Sequence, residues 1–329
     1  MIKPLLIIGI PLLLLILAVN NLSTLMGGMS RKKANLLIQT YLDCEFKGQL
    51  KVTEIRRFFN AGNMNPNMFS VIVYDKNLEE IRWILYFDAK ILKTENRIEQ
   101  GVSYAQPIHI QYEKTLTDYY TKEAINKQMN IVKCNVIFEY YSLTTRFHYT
   151  PEATERKATI KKLLSLLNQQ REKIDLSSAF TIINFLPNNK EDILEIAIHT
   201  KDGAWEIDSC TVNQKTNYFE ILEKKAVPDR MSYLEKISHR YNSHDFSLLY
   251  IDTDSFTKGA WVHLLMDTKA VGQEQNGYHS TPITAVLIET INLTNQNVIQ
   301  RDIIPITESK SFVSLIEDIK PQLGITYTF

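Results

Sequence analysis

The stretch from residue 151 to residue 212 decides the fold, because it contains one helical pattern followed by three strand patterns. In "PEATERKATIKKLLSLLNQQ" (151–170), apolar residues recur at the spacing of one helical face: Ile160, Leu163, Leu164 and Leu167. Three runs rich in β-branched and aromatic residues follow: "AFTIINFLP" (179–187), "DILEIAIHT" (192–200) and "AWEIDSCTV" (204–212). This order predicts an antiparallel sheet with a helix packed on one face.

The same order recurs on both sides of this stretch. Upstream, "SRKKANLLIQTYLDCEF" (30–46) predicts an amphipathic helix with Ser30 as its N-cap, and three strand patterns follow between residues 49 and 89. Downstream, "VPDRMSYLEKISHRY" (227–241) predicts a third helix, and three more strand patterns follow between residues 245 and 293. The chain is therefore predicted to be α+β, with two or three modules, each an antiparallel sheet packed against one or two helices.

The predicted modules cover residues 30–149, 150–226 and 227–329, after an anchor with a short exit segment over residues 1–29. The first module is the longest, because it also contains a helical pattern at 110–128 and a strand pattern at 130–141. Thr150 is the predicted N-cap of the second helix, and Pro151 suits its first turn.

The N-terminal segment predicts a membrane anchor. Every residue from Pro4 to Val19 is apolar, Gly or Pro, and the first charge after Lys3 is Arg31. An apolar run of this length can cross a bilayer as a helix, so residues 4–26 are predicted to contact the membrane as a single-pass span. A cleaved signal peptide is the main alternative, but the exit shows no A-x-A pattern; a buried core helix is the third.

The side of the membrane follows less directly from the charges. The positive-inside rule, applied to Arg31, Lys32 and Lys33, places the large folded part in the cytoplasm. A short Lys-bearing tail before an apolar run is, however, also how export signals begin. We predict that the folded part lies outside the cytoplasm.

The composition excludes several classes of protein. Lys+Arg and Asp+Glu are each 37, so there is no basic excess to bind nucleic acid. The three cysteines, Cys44, Cys134 and Cys210, are far apart, which excludes a disulfide-rich scaffold and a CxxC metal site. Nucleophile-elbow, Walker, dinucleotide-binding and zincin motifs are absent from the sequence. No cofactor and no catalytic residue is predicted.

One polar cluster is the best candidate for chemistry. "HRYNSHD" (239–245) contains His239, His244 and Asp245, residue types that bind metals, but its two histidines are five residues apart and match no helical ligand pair. The prediction is therefore a helix end at His239 and a turn at His244 and Asp245, with no metal. A metal or hydrolytic site on these three residues is the alternative.

One loop is the best candidate for partner recognition. "NAGNMNPNMF" (60–69) is rich in Asn and joins two strand patterns, and it contains Asn63, Met64, Asn65 and Met68. Exposed methionines adapt to irregular surfaces, so these four residues are predicted to bind a partner; an ordinary hairpin loop is the alternative.

These features together predict a membrane-anchored, extracytoplasmic protein-binding module without catalytic activity. Its role would be that of an envelope assembly component or an immunity-type protein, and its partner would be another protein. The alternative is a membrane-tethered hydrolase with its site near His239, His244 and Asp245.

Overall fold

The computed structural model describes residues 28–58, 65–95, 107–237, 241–267, 274–275, 278–279, 283–306 and 312–329. These residues form a mixed α+β structure in which antiparallel sheets pack on helices, as predicted. The chain divides into two compact units, Met1–Thr121 and Lys122–Phe329. Residues 1–27, which include the predicted anchor, lie outside the described residues. None of the helices within the described ranges is long and apolar enough to cross a membrane.

The first unit is a three-stranded antiparallel sheet covered by helices. Its elements are α1 (Arg31–Glu45), β1 (Leu50–Arg57), β2 (Met68–Asp75), β3 (Arg82–Asp88), α2 (Ala89–Glu95) and the first part of α3 (Ile108–Asn130), and the strand order is β1-β2-β3. Ser30 is the N-cap of α1, as predicted, and its hydroxyl accepts the N–H of Lys33. The apolar face of α1 is fully buried against the sheet through Ala34, Ile38 and Leu42.

The second unit is built on a nine-stranded sheet. After α3 come β4 (Cys134–Phe138), β5 (Ser142–Phe147), α4 (Ala153–Gln169), β6 (Ala179–Leu186), β7 (Lys190–Lys201), β8 (Ala204–Val212), α5 (Asn217–Ile237), β9 (Tyr241–Ile251), β10 (Lys258–Asp267), β11 (Glu274–Gln275), β12 (Tyr278–His279), β13 (Ile283–Asn292), β14 (Asn297–Pro305) and α6 (Phe312–Ile319). The strand order is β14-β13-β10-β9-β8-β7-β6-β5-β4, and β11 pairs only with β12. Only β5 and β6 in the nine-stranded sheet run parallel, since α4 connects them.

The sheet has apolar cores on both faces. Along β10, Trp261 faces the core that contains α4 and α5 residues, whereas Val262 and Leu264 face the core that contains α6. This alternation with period two is the reason why β10 is buried almost throughout.

Two halves of this sheet meet at a narrow junction. β8 and β9 are paired at a single position, Thr211 with Tyr250. Beside it, the Cys210 N–H donates to the Tyr327 carbonyl (2.9 Å), and the Thr253 N–H donates to the Thr326 carbonyl (2.6 Å). The C-terminal segment therefore supplies hydrogen bonds where the two strands do not pair.

The structure differs from the sequence predictions at several helix ends. The N-cap of α4 is Glu152, not Thr150, because Glu152 and Glu155 form a capping box. Helix α5 begins at Asn217, before its predicted start at Val227, and it contains Pro228 in its interior. The predicted module boundaries at 149/150 and 226/227 stay predictions, and the second of these positions lies within α5.

Candidate functional site

The structure places two residues of the predicted polar cluster in a strand. His239 lies outside the described residues, while His244 and Asp245 lie within β9 and not in a turn, because the strand begins at Tyr241. Among the described residues, no group of three or more His, Cys, Asp and Glu side chains is placed to hold a metal ion. The metal and hydrolase alternative for these three residues stays a prediction.

The predicted binding loop is described only in part. Asn63 and Met64 lie outside the described residues. The Asn65 side chain donates to the Asp88 carboxylate (2.5 Å) and accepts the Asn67 N–H (2.9 Å), so it closes the turn before β2. Met68 is only 1% exposed, which corrects its predicted exposure: as the first residue of β2 it packs in the interior. Met68 therefore has a packing role, and binding by the other three residues is untested.

A cleft in the second unit combines charged groups with apolar walls. Its volume is about 330 Å³, and it lies between the start of α4, the start of β7 and the turn from β9 to β10. Its lining is half apolar and half polar: Pro151, Ala153, Ile193, Ile251 and Phe256, with Glu152, Arg156, Asp192, Ser255 and Thr257. Binding sites combine apolar walls with placed polar groups, and this cleft has both kinds of lining.

An ion pair forms one wall of the cleft. An Arg156 Nη1 lies 2.8 Å from the Asp192 carboxylate, and the two side chains are only 12% and 8% exposed. The Arg156 guanidinium also lies over the Phe256 ring, 5.2 Å from its centroid. Three elements are therefore joined at this wall: α4 through Arg156, β7 through Asp192, and the β9–β10 turn through Phe256.

The lining of the cleft carries charges of both signs. Burial raises the pKa of Asp192, and the Arg156 charge only partly opposes this increase. The Nε of Arg156 has no hydrogen-bond partner among the described residues. Glu152 is exposed at the edge, so the lining carries two carboxylates and one guanidinium, a formal charge of −1 with all three ionised.

A second polar cluster is sealed inside the same unit. The Glu289 carboxylate on β13 is fully buried and accepts from Arg230 Nε of α5 (2.8 Å) and Arg301 Nε of β14 (2.8 Å). His263 Nε2 on β10 lies 3.1 Å from the same carboxylate. Arg301 also pairs with Asp229 at 2.5 Å. We call Arg230, His263, Glu289 and Arg301 the buried network.

The buried network fixes the protonation of its members. Burial lowers the pKa of His263 to about 4, so the ring is neutral at pH 7 and donates to Glu289 in the assigned tautomer. Burial alone would raise the pKa of Glu289, but the His263 hydrogen bond and the Arg230 charge lower it to about 2. The result is an ionised carboxylate held between two arginines, with its oxygens shielded from solvent. The buried network thereby joins α5 to β10, β13 and β14.

Sequence reasoning missed both groups for the same reason. A polar residue within an apolar strand, such as His263 in "AWVHLLMD" or Glu289 in "VLIETI", is a signal of a buried polar contact, but it does not identify the partner. Arg230 and Arg156 lie on helices that the pattern only marks as amphipathic.

The sequence matches no protein-family model and no curated protein. A function for this chain is therefore argued from its own geometry, and the cleft combines open volume with charged groups and apolar walls.

Proposed function

We propose that this protein is a membrane-anchored, extracytoplasmic protein-binding module, and that a basic side chain of its partner inserts into the cleft beside Arg156 and Asp192. The observation that supports binding most is the cleft itself, with its apolar walls and its excess of one carboxylate. The anchor is inferred from the sequence of residues 4–26.

The size and chemistry of the cleft suit one or two side chains. A volume of about 330 Å³ is at the lower end of the range for small-molecule pockets. Interface hot spots are enriched in Arg and aromatic residues that fill such desolvated pockets. An inserted lysine or arginine would neutralise the extra carboxylate, and its methylene groups would contact Ile193 and Ile251.

The two edges of the nine-stranded sheet are less suitable for a partner. On β4, the Val136 N–H is already taken by the Asn126 side chain of α3 (2.9 Å). On β14, the register with β13 shifts opposite Thr290 and Ile291, and the strand ends at Pro305. A bulge and a proline both oppose the addition of a further strand. The cleft is therefore preferred over strand addition.

The test introduces a lysine of this protein into the cleft lining, where its charge would occupy the place of the partner's basic group. Thr257 lines the cleft and is exposed, so Thr257→Lys should compete with the partner's basic group while leaving the core intact. We expect at least about tenfold weaker partner binding, the loss of one charged contact at an interface. Photo-crosslinking from Ser255 in membranes identifies the partner, and titration with that partner measures the affinity.

Thr294→Lys is the matched control, since Thr294 is exposed in the β13–β14 turn, away from the cleft lining. The control should bind like the unaltered chain. Equal affinity of both variants and the unaltered chain would show that the cleft is not the binding site. Release of the unaltered chain from membranes by alkaline washing would refute the anchor separately.

A further inference from the structure

We propose that the end of the first unit from which residues 1–27 extend is a surface that binds the headgroups of anionic lipids. Five basic residues form this surface, which we call the basic end: Arg31, Lys32, Lys33, Arg56 and Arg57. The inference rests on the membrane anchor of the proposed function and adds the chemistry of the lipid surface to it.

The structure fixes the point at which the N-terminal segment joins the folded unit. The Met29 N–H donates to the Asn67 side chain (2.9 Å), and the Met29 carbonyl accepts from Arg57 Nη2 (2.7 Å). Residue 29 is therefore tied both to the end of β1 and to the turn before β2. Met26, the last residue of the apolar stretch, is three residues away, so at most about 10 Å of chain separates it from Met29. An anchor over residues 4–26 would keep this end at the headgroups.

The first turn of α1 carries three positive charges at the end of the helix where positive charge is least favourable. Arg31, Lys32 and Lys33 are all exposed in the first turn of α1, which contains no acidic residue. The N-terminus of a helix carries partial positive charge, so cations are least favourable there and anions are most favourable. The three consecutive cations in this turn are therefore balanced by no acidic side chain of the same turn.

β1 contributes further positive charge to the same end. Burial lowers the pKa of Arg57, and the second cause is the charge of Arg31, so these two guanidinium groups lie close enough to repel each other. Arg56 is exposed and pairs with Glu54 at 3.0 Å, an exposed pair that solvent screens strongly. The basic end thus has five cations, and Arg56 is paired with Glu54.

An anionic bilayer fits this arrangement better than a soluble anion. The whole chain has no net charge, whereas this end combines five basic residues from α1 and β1. Basic residues beside a membrane segment are attracted to anionic lipids, and the attraction falls within a Debye length.

The experiment uses the full chain in two kinds of vesicle. One kind contains phosphatidylcholine only, and the other contains phosphatidylcholine with one quarter phosphatidylglycerol. Hydrogen exchange of the amides of residues 30–35 and 55–58 reports contact at the basic end. We expect exchange to be at least about fivefold slower in the anionic vesicles, the effect of roughly one basic residue at such a surface, and to return to the phosphatidylcholine rate in high salt.

The variant Arg31→Gln/Lys32→Gln/Lys33→Gln should remove this difference between vesicles. The control variant Lys51→Gln/Arg82→Gln/Lys114→Gln, which removes three exposed cations elsewhere in the same unit, should keep it. If the unaltered chain stays bound to both kinds of vesicle and its amides exchange at equal rates in them, the lipid-binding surface is refuted and the anchor is supported. Binding to anionic vesicles only, lost in high salt, would support the surface and refute the anchor; binding to neither would refute both.

Discussion

Glu289 is a fully buried carboxylate, and its charge interacts strongly with its neighbours because no solvent screens it. In the buried network, the Glu289 carboxylate accepts a hydrogen bond from Arg230 on one oxygen and from Arg301 on the other. Arg230 also lies over the Trp261 ring, 4.4 Å from its centroid. This geometry makes Glu289 the residue on which the packing of α5 against the sheet depends.

Glu289→Gln should therefore destabilise the second unit strongly. The change leaves the buried Arg230 without its carboxylate and leaves Arg301 with Asp229 alone, and loss of one partner of a buried ion pair costs about 3–5 kcal/mol. Urea unfolding followed by tryptophan fluorescence measures the loss, since Trp261 is in contact with Arg230. Glu223→Gln, an exposed change on α5, should leave the midpoint unchanged. A midpoint for Glu289→Gln equal to that of Glu223→Gln would show that the network contributes little.

His263 should give the protein a specific dependence on pH. Its folded pKa of about 4 lies below its ordinary value of 6.5, so the unfolded state binds a proton first as the pH falls. Stability contributed by neutral His263 is thus complete above about pH 6.5 and is lost as the pH falls towards 4. Glu289 acts in the same direction at lower pH, since its folded pKa is depressed to about 2.

Unfolding measured from pH 7.5 to pH 4.5 tests this dependence. His263→Gln should flatten the curve in this range, because glutamine does not titrate, although its stability at pH 7.5 should be lower. His148→Gln, at an exposed histidine, should keep the slope of the unaltered chain. An unchanged slope in His263→Gln would mean that other groups cause the acid sensitivity.

At the scale of elements, the sequence patterns predicted β8 to the residue, because the aromatic and β-branched residues of 204–212 lie between turn-forming segments. They missed β5, whose polar residues look like a loop. The structure shows why: Thr145 is buried, and its hydroxyl donates to the Asn184 side chain of β6 at 2.6 Å. Two polar side chains on neighbouring strands can satisfy each other's hydrogen-bonding groups, but the sequence does not show which residues are partners.

The start of α5 was missed because Pro228 normally ends or kinks a helix. Here the helix continues on both sides, since Leu222, Ala226 and Leu234 are buried on one face. Tertiary packing offsets the cost of the proline. The candidate cleft was equally hidden in the sequence, because Arg156 and Asp192 are 36 positions apart and only the fold places them 2.8 Å from each other.

Pro228→Ala should stabilise the second unit by about 2 kcal/mol. Alanine restores the N–H that a helix interior needs, a gain of about 3 kcal/mol, while the more flexible unfolded chain returns about 1 kcal/mol of it. Thermal unfolding with circular dichroism measures the change, and Pro321→Ala, outside α5, is the control. A destabilised Pro228→Ala variant would show instead that the proline bend is needed to bring Asp229 to Arg301.

At the scale of the second unit, the weak junction between β8 and β9 makes the sheet depend on its C-terminal segment. Tyr327 packs against Tyr250 with ring centroids 5.6 Å apart, beside the single paired position of the two strands. The Thr253 side chain also donates to the Thr328 carbonyl at 2.5 Å. The segment therefore contributes backbone hydrogen bonds and an aromatic contact at the place where the sheet has the fewest of its own.

Removing residues 326–329 should loosen this junction specifically. The N–H groups of Cys210 and Thr253 would lose their carbonyl acceptors, and each unsatisfied buried group costs about 1–3 kcal/mol. Hydrogen exchange should become faster at these two amides by about tenfold or more, because local opening no longer breaks bonds to the segment. The first unit serves as the internal control, and its β2 amides should exchange at their original rate.

The double variant Tyr327→Ala/Phe329→Ala separates the two contributions of the segment. It keeps the carbonyls of Thr326 and Tyr327 and removes the aromatic contacts, so the Cys210 and Thr253 amides should retain much of their protection if the hydrogen bonds dominate. Protection lost equally in the double variant and in the deletion would assign the effect to aromatic packing. Protection retained in the deletion would contradict the dependence altogether, because β8 and β9 would then hold the sheet through Thr211 and Tyr250 alone.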